Sequence, residues 1–375
     1  VKRLAAALAL LAALALAAFA AGCSTAGVEA GLVLGDLAAG QSASTYKRLT
    51  PRPQRQSVSY AIDGRSHGGD LYLPAEKARA GLVLVPGAAR EGKDHPLLVS
   101  LAQTLARARY LVLVPDIPSL RALEVSADDR HPIADAVRYL DAGRHMEGIG
   151  IAAISYAAAP AILAALDEPK VDFVVTVGGT YDLTAILTFF TTGHYREGPG
   201  LPWQRLEPNA YGKWVFVKSN ARRLDDSADR ALLAAIADRK LAQLDAPVTD
   251  LAARLSPQGR AVMALLDNDD PDRVPALIAA LPPRIRGEIA RMDLAPKDLS
   301  KLKAHLYLIH GRDDRIIPWT ESAALARMAP SAELTLLDNL AHAELKPGGA
   351  GDTLALWRMV AHLLTQRDRL SQRGS

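Results

Sequence analysis

Apolar and polar residues alternate in "SVSYAI" and "DLYLP", on either side of "DGRSHGG", from Ser57 onward. Period-two alternation around a glycine-rich turn predicts a β-hairpin. Unbroken apolar runs follow at 80–87, 110–116, 148–155 and 171–179, with helical spacing between them at 95–109, 131–140 and 156–167. Strands covered on both faces read as solid apolar runs. Their alternation with helices predicts an α/β fold with a mostly parallel sheet flanked by helices. The alternation stops near Tyr181. Short helical patterns, broken by prolines and acidic caps, then dominate to about Ser300, with one possible strand, "KWVFVK", at 213–218. A strand at 304–311, a helix near 319–329, a strand at 332–338 and an amphipathic helix restore the first rhythm. The expectation is one α/β domain in two parts, 57–180 and 301–375, with a mainly helical cap over 181–300 inserted after the sixth strand.

The N-terminal residues follow neither pattern. "VKR" is a cationic start, "LAAALALLAALALAAFA" is continuously apolar, and "AAGC" ends at Cys23. That is the layout of a secretory signal. Cys23 is the only cysteine, so it has no partner in the chain for a disulfide. Small-small-Cys after an apolar run resembles the bacterial lipobox. The resemblance implies a signal peptide over 1–22, cleavage before Cys23 and lipid on its thiol. It also implies an extracytoplasmic, envelope-bound protein, delivered to the outer membrane of a Gram-negative cell because Ser24 is not aspartate. Acyl chains would hold a folded body at a bilayer without a spanning helix. Residues 23–56 read mostly as a tether, within which "AGLVLGDLAAG" has the pattern of a short helix able to dock on the body.

Composition changes this picture little. The chain has 375 residues, 49% of them hydrophobic, which is ample for a large core. Its 44 basic and 41 acidic residues are interspersed and no basic block appears, so nucleic acid is not an expected partner. No later run approaches ~18 apolar residues, so no second membrane crossing is expected.

One hydroxyl interrupts "GIGIAAISYAAAPAIL". Ser155 sits where a predicted strand hands over to a helix, a position that lifts a nucleophile out of a sheet. The usual G-x-S-x-G flanks are Ala153 and Ala157 here. A serine at such a point also serves as a helix N-cap. Other residues favour the nucleophile. "HGRDDRIIP" follows the next-to-last strand and offers a carboxylate, and "NLAHAEL" after the last strand carries His342. Asp314 precedes His342 by 28 positions, and the chain order is Ser, Asp, His. Asp313 and, more remotely, Asp182 in "TYDL" are the other candidate acids.

These features together resemble the α/β-hydrolase superfamily over roughly 57–180 and 301–367. Gly311, Asp314, Ile317 and Pro318 fit that family's G-x-x-D-x-x-[VI]-P pattern, which favours Asp314 as the acid. The resemblance implies Ser155 as nucleophile, His342 as general base and Asp314 as the residue that orients it. It also implies an oxyanion hole from the backbone N–H groups of Ala88 and Tyr156. His310 reads as structural.

Phe189, Phe190, Tyr195, Trp203, Tyr211, Trp214 and Phe216 crowd into 28 residues after the sixth strand. Phe189, Phe190, Trp203 and Trp214 are candidates for an apolar substrate pocket, or equally for the cap's own core. "DNDDPD" at 267–272 fails as a calcium loop, with Pro271 at a ligand position. No H-E-x-x-H appears, and neither metal nor cofactor is expected. The expected function is a membrane-tethered serine hydrolase acting on a small-molecule ester. A non-catalytic binding lipoprotein on the same scaffold, or a peptidase or amidase, are the alternatives.

Overall fold

The computed structural model describes residues 25–338, 340–341, 344–345 and 349–373. Eight strands form one sheet: β1 (Gln54–Ile62), β2 (Arg65–Leu73), β3 (Ala80–Val85), β4 (Tyr110–Pro115), β5 (Ile149–Ile154), β6 (Val171–Val177), β7 (His305–Gly311) and β8 (Ala332–Leu337). Their spatial order is β1-β2-β4-β3-β5-β6-β7-β8. The β1–β2 and β2–β4 pairs are antiparallel and the rest are parallel. The expected fold class is therefore the observed one. β4 and β5 lie on opposite sides of β3, so the chain reverses direction across the sheet there. Loops leaving the carboxyl ends of β3 and β5 diverge at such a point and open a crevice.

Both faces are covered, as the solid apolar runs require. Ile149, Ile151 and Ala153 of β5 join a cluster with the helices Arg130–Arg138 and Ala158–Asp167. Leu82, Leu84, Val112 and Val114 join another on the opposite face, with helix Pro96–Arg107 and the C-terminal helix Ala350–Ser371.

Two expectations need correction. Most of the supposed tether is folded onto the body. Helix α1 (Thr25–Ala39) buries Ala26, Ala30 and Val33 in the second cluster. Its Glu29 pairs with the buried Arg367 at 2.7 Å, and its buried Asp36 takes the Thr104 hydroxyl at 2.7 Å and the Lys47 ammonium at 2.8 Å. A Gly/Ala/Ser-rich composition reads as linker, yet small residues also let helices pack closely. The second correction is "KWVFVK", which is not a strand but part of a helix, Tyr211–Ala221. Val215 packs against the sheet's cluster while Trp214, Phe216 and Val217 pack into the cap. A helix buried on several sides shows an unbroken apolar run, which periodicity alone does not separate from a strand.

The cap occupies the connection between β6 and β7. Its helices include Leu183–Thr192, Tyr211–Ala221, Ser227–Ala242, Pro257–Leu266 and Pro283–Met292, and they share a separate apolar cluster. Among the described residues, no helix is long and apolar enough to cross a membrane. Residues 1–22 and Cys23, to which the signal and lipidation expectations belong, lie outside the described residues.

Candidate active site

Ser155 follows the last residue of β5 and opens a single 3-10 turn, Ser155–Ala157, which runs into helix Ala158–Asp167. Its φ is +56°, in the left-handed region. A side chain there carries strain of ~1–2 kcal/mol, held by its surroundings. Such a turn points the residue out of the sheet at a helix N-terminus. Ala153 and Ala157, which stand where glycines are usual, are both buried, so one methyl at each crowding point is accommodated.

The loop after β3 passes close over this turn. A Cβ at Gly87 would lie 3.3 Å from the Ile154 carbonyl and 3.6 Å from the Ser155 Cβ. Ala88, the expected oxyanion donor, follows directly, and its carbonyl accepts the Tyr211 hydroxyl at 2.9 Å. A cap side chain thus fixes this loop. Tyr156, the other expected donor, packs between the sheet's cluster and the cap's. Its hydroxyl donates to the Gly212 carbonyl at 3.3 Å, and burial holds the phenol well above its ordinary range.

The structure separates the two neighbouring carboxylates. Asp314 is buried at 1% exposure, while Asp313 is exposed. Asp314 Oδ1 accepts the N–H groups of Ile316 at 2.7 Å and Ile317 at 3.0 Å. Its Oδ2 lies 3.3 Å from His310 Nε2. His310 is itself held on both ring nitrogens, by Ser322 Oγ at 2.7 Å and the Ile317 carbonyl at 2.9 Å. It is a brace for the acid's loop. Asp182 is committed elsewhere: it caps helix Leu183–Thr192, accepting from the N–H groups of Thr184 and Ala185. His342 lies outside the described residues. The described strand pair Leu340–Ala341 and Glu344–Leu345 brackets it, and the Leu340 carbonyl lies over Gly311, where a Cβ would meet it at 1.7 Å. Gly311 is therefore required by the close passage of the Leu340 backbone.

Sequence reasoning did not find Glu321. It is buried, and its Oε2 accepts the N–H groups of Tyr181 at 2.9 Å and Asp182 at 2.7 Å, where the chain enters the cap. Burial pushes its carboxyl up to about 8, and the charges of Asp182 and Asp293 add to the shift. In sequence it reads as an ordinary acid in a helix's first turn, with no signal of this role.

A cavity of about 60 Å³ lies between cap and core beside Tyr156, lined mostly by apolar residues such as Val125, Leu187, Phe190 and Met292. Phe190 alone of the four pocket aromatics is among its lining residues. Phe189 and Trp214 are buried in the cap's own cluster. Trp203 is half-buried under the Arg196 guanidinium, 4.3 Å from its ring centre. A larger cleft of about 480 Å³ lies beyond Glu288, lined by Arg222, Arg223, Arg284 and Arg291. Its arginines pair with Glu124, Glu288, Asp225 and Asp128. No group of acidic, histidine or cysteine side chains suited to a metal ion occurs among the described residues.

No family model matches the sequence, and no curated protein matches it significantly. Solved structures do match in fold. A protein of Legionella pneumophila, provisionally named a hydrolase, is 13% identical with a TM-score of 0.55, over 91% of this chain and 95% of its own. A dienelactone hydrolase of Anabaena variabilis is 15% identical with a TM-score of 0.44, over 84% of this chain and 98% of its own. The first shows that this chain shares the fold of that protein.

Proposed function

We propose that this chain is a serine hydrolase acting on a small carboxylic ester, with Ser155, His342 and Asp314 as its triad. The observation that carries the reading is Ser155 at φ +56° on the turn from β5 to its helix. Strain of this kind persists where the surrounding structure over-determines it, and it clusters at functional sites. The buried, backbone-held Asp314 and the order of the three residues support the same reading.

The chemistry follows from the residue types. His342 takes the Ser155 hydroxyl proton as the oxygen attacks the ester carbonyl carbon. Asp314 fixes the imidazole's tautomer and stabilises the imidazolium. The carbonyl electrons move onto oxygen, which the N–H groups of Ala88 and Tyr156 receive. Removing one such donor costs ~3 kcal/mol in comparable sites. The tetrahedral state collapses as the C–O bond breaks, and His342 returns its proton to the departing alcohol. Water then attacks the acyl-serine by the same route, releasing the acid.

Hydrolysis of a p-nitrophenyl ester of a short acid tests this directly. Wild-type protein turns it over, and Ser155→Ala abolishes turnover while keeping its circular dichroism spectrum. Residual activity within tenfold of wild type contradicts the assignment.

A further inference from the structure

Three loops at the carboxyl edge of the sheet carry the proposed chemistry: the one after β3 with Ala88, the turn after β5 with Ser155 and Tyr156, and the one after β7 with Asp314. One short stretch of the cap, residues 209–212, bonds to all three. The Tyr211 hydroxyl donates to the Ala88 carbonyl at 2.9 Å. The Gly212 carbonyl accepts the Tyr156 hydroxyl at 3.3 Å. The Asn209 N–H donates to the carbonyl of Arg315, the residue after Asp314, at 2.7 Å. The stretch is itself a fixed turn: Asn209 Oδ1 accepts the Tyr211 N–H at 2.9 Å, and helix Tyr211–Ala221 starts there. Gly212 lets it sit close, since a Cβ there would lie 2.8 Å from Phe190 Cε1. Phe190 in turn meets the Tyr156 ring edge-on, with centroids 6.3 Å apart. Tyr211, Tyr156 and Ala88 all pack on the sheet's cluster.

We propose that Tyr211 is a positioning residue for the reaction: its hydroxyl, by holding the Ala88 carbonyl, keeps the Ala88 N–H set to receive the oxyanion. This deepens the hydrolase reading and rests on it for the role of Ala88. The loop begins Val85-Pro86-Gly87-Ala88, and a glycine beside the donor leaves the backbone many orientations. A donor lowers the barrier most when it already points at the developing charge, because no reorganisation is then needed as the charge forms. A hydrogen bond on the carbonyl of the same residue restricts that freedom. Tyr211 acts through Ala88 rather than on substrate, since its proton is committed to the carbonyl. Burial raises its phenol above the ordinary 10.0, so the proton stays in place wherever a histidine can work as a base. The same stretch holds the residue after Asp314, so the oxyanion loop and the acid's loop are set against one cap element. The hydroxyl is the part that matters, because packing on the sheet's cluster needs only the ring.

Tyr211→Phe keeps the ring and removes one hydroxyl, a change too small to unfold the chain. Hydrolysis of a short p-nitrophenyl ester is expected to show kcat at least about tenfold lower with KM within about twofold, because the aligned N–H is used in the transition state. The second readout is propylboronic acid. Its boron accepts the Ser155 oxygen and becomes an anionic, tetrahedral mimic of the oxyanion state. Its affinity is expected to fall by a factor similar to the fall in kcat/KM. A loss confined to KM, or a fall in kcat with boronate affinity unchanged, means that Tyr211 only packs the cap and overturns the proposal. A Tyr211→Phe protein as active as an active wild type also overturns it, and leaves the hydrolase reading standing. A wild-type protein that neither hydrolyses the ester nor binds the boronate refutes the hydrolase reading itself, and the positioning role falls with it.

Discussion

Asp314 and Asp313 are adjacent in sequence and unlike in every physical respect that matters to a triad acid. Asp314 is buried, with one oxygen on two backbone N–H groups and the other beside His310, whereas Asp313 faces solvent. A fixed carboxylate can orient an imidazole, and a solvated one on a turn cannot. Asp314→Asn is therefore expected to lower kcat by as much as ~10⁴-fold, and Asp313→Asn by less than about tenfold. Steady-state kinetics on a short ester decides between them, and a crippled Asp313→Asn enzyme would reverse the assignment. In the sequence, the resemblance of Gly311, Asp314, Ile317 and Pro318 to a family pattern favoured the same one of the two. Glu321 was not legible, because nothing in "TESAALARM" distinguishes an acid buried beneath the entry to the cap from one facing water.

At the scale of elements, the cap is tied to the core where the chain enters and leaves it. The Leu294 N–H donates to the Tyr181 carbonyl at 3.0 Å, the Leu183 N–H to Asp293 at 3.2 Å, and Glu321 holds Tyr181 and Asp182 from beneath. Asp182 and Asp293 are the acids that bear on Glu321, and its carboxyl is raised from 4.5 to about 8. The folded protein then retains a proton that the unfolded chain has released. The stability this group contributes is fully present below pH 4.5 and is lost as pH rises to about 8. Glu321→Gln keeps an acceptor for the two N–H groups and cannot ionise. Relative to that variant, wild-type Tm is expected to fall as pH is raised from 5 to about 8.5, measured by scanning fluorimetry. A gap that stays constant with pH would show that Glu321 does not titrate in this range. The strands and the break at the cap could be read from apolar rhythm alone. The cap's helices were harder, because "KWVFVK" belongs to a helix buried against both core and cap and so lacks a polar face.

At the scale of the whole molecule, the described chain is packed onto the body from its first helix, α1, which Arg367 clasps through Glu29. If Cys23 carries lipid, as we propose from the lipobox-like "AAGC", the body stands close to the bilayer rather than at the end of a long tether. Mass spectrometry of the membrane-extracted N-terminal peptide is expected to find acyl groups on Cys23. An unmodified Cys23, or a mature chain that starts elsewhere, contradicts this. The clasp was invisible in composition, since its pairs join residues more than 300 positions apart.

The central claim is that Ser155 is a nucleophile. Its most direct measurement is reaction of the folded wild-type protein with a fluorophosphonate, followed by digestion and mass spectrometry of the modified peptide. The account predicts one phosphonyl adduct per chain, on Ser155, and none on a folded Ser155→Ala protein. An unreactive wild-type protein, or an adduct on any other residue with Ser155 untouched, would contradict it.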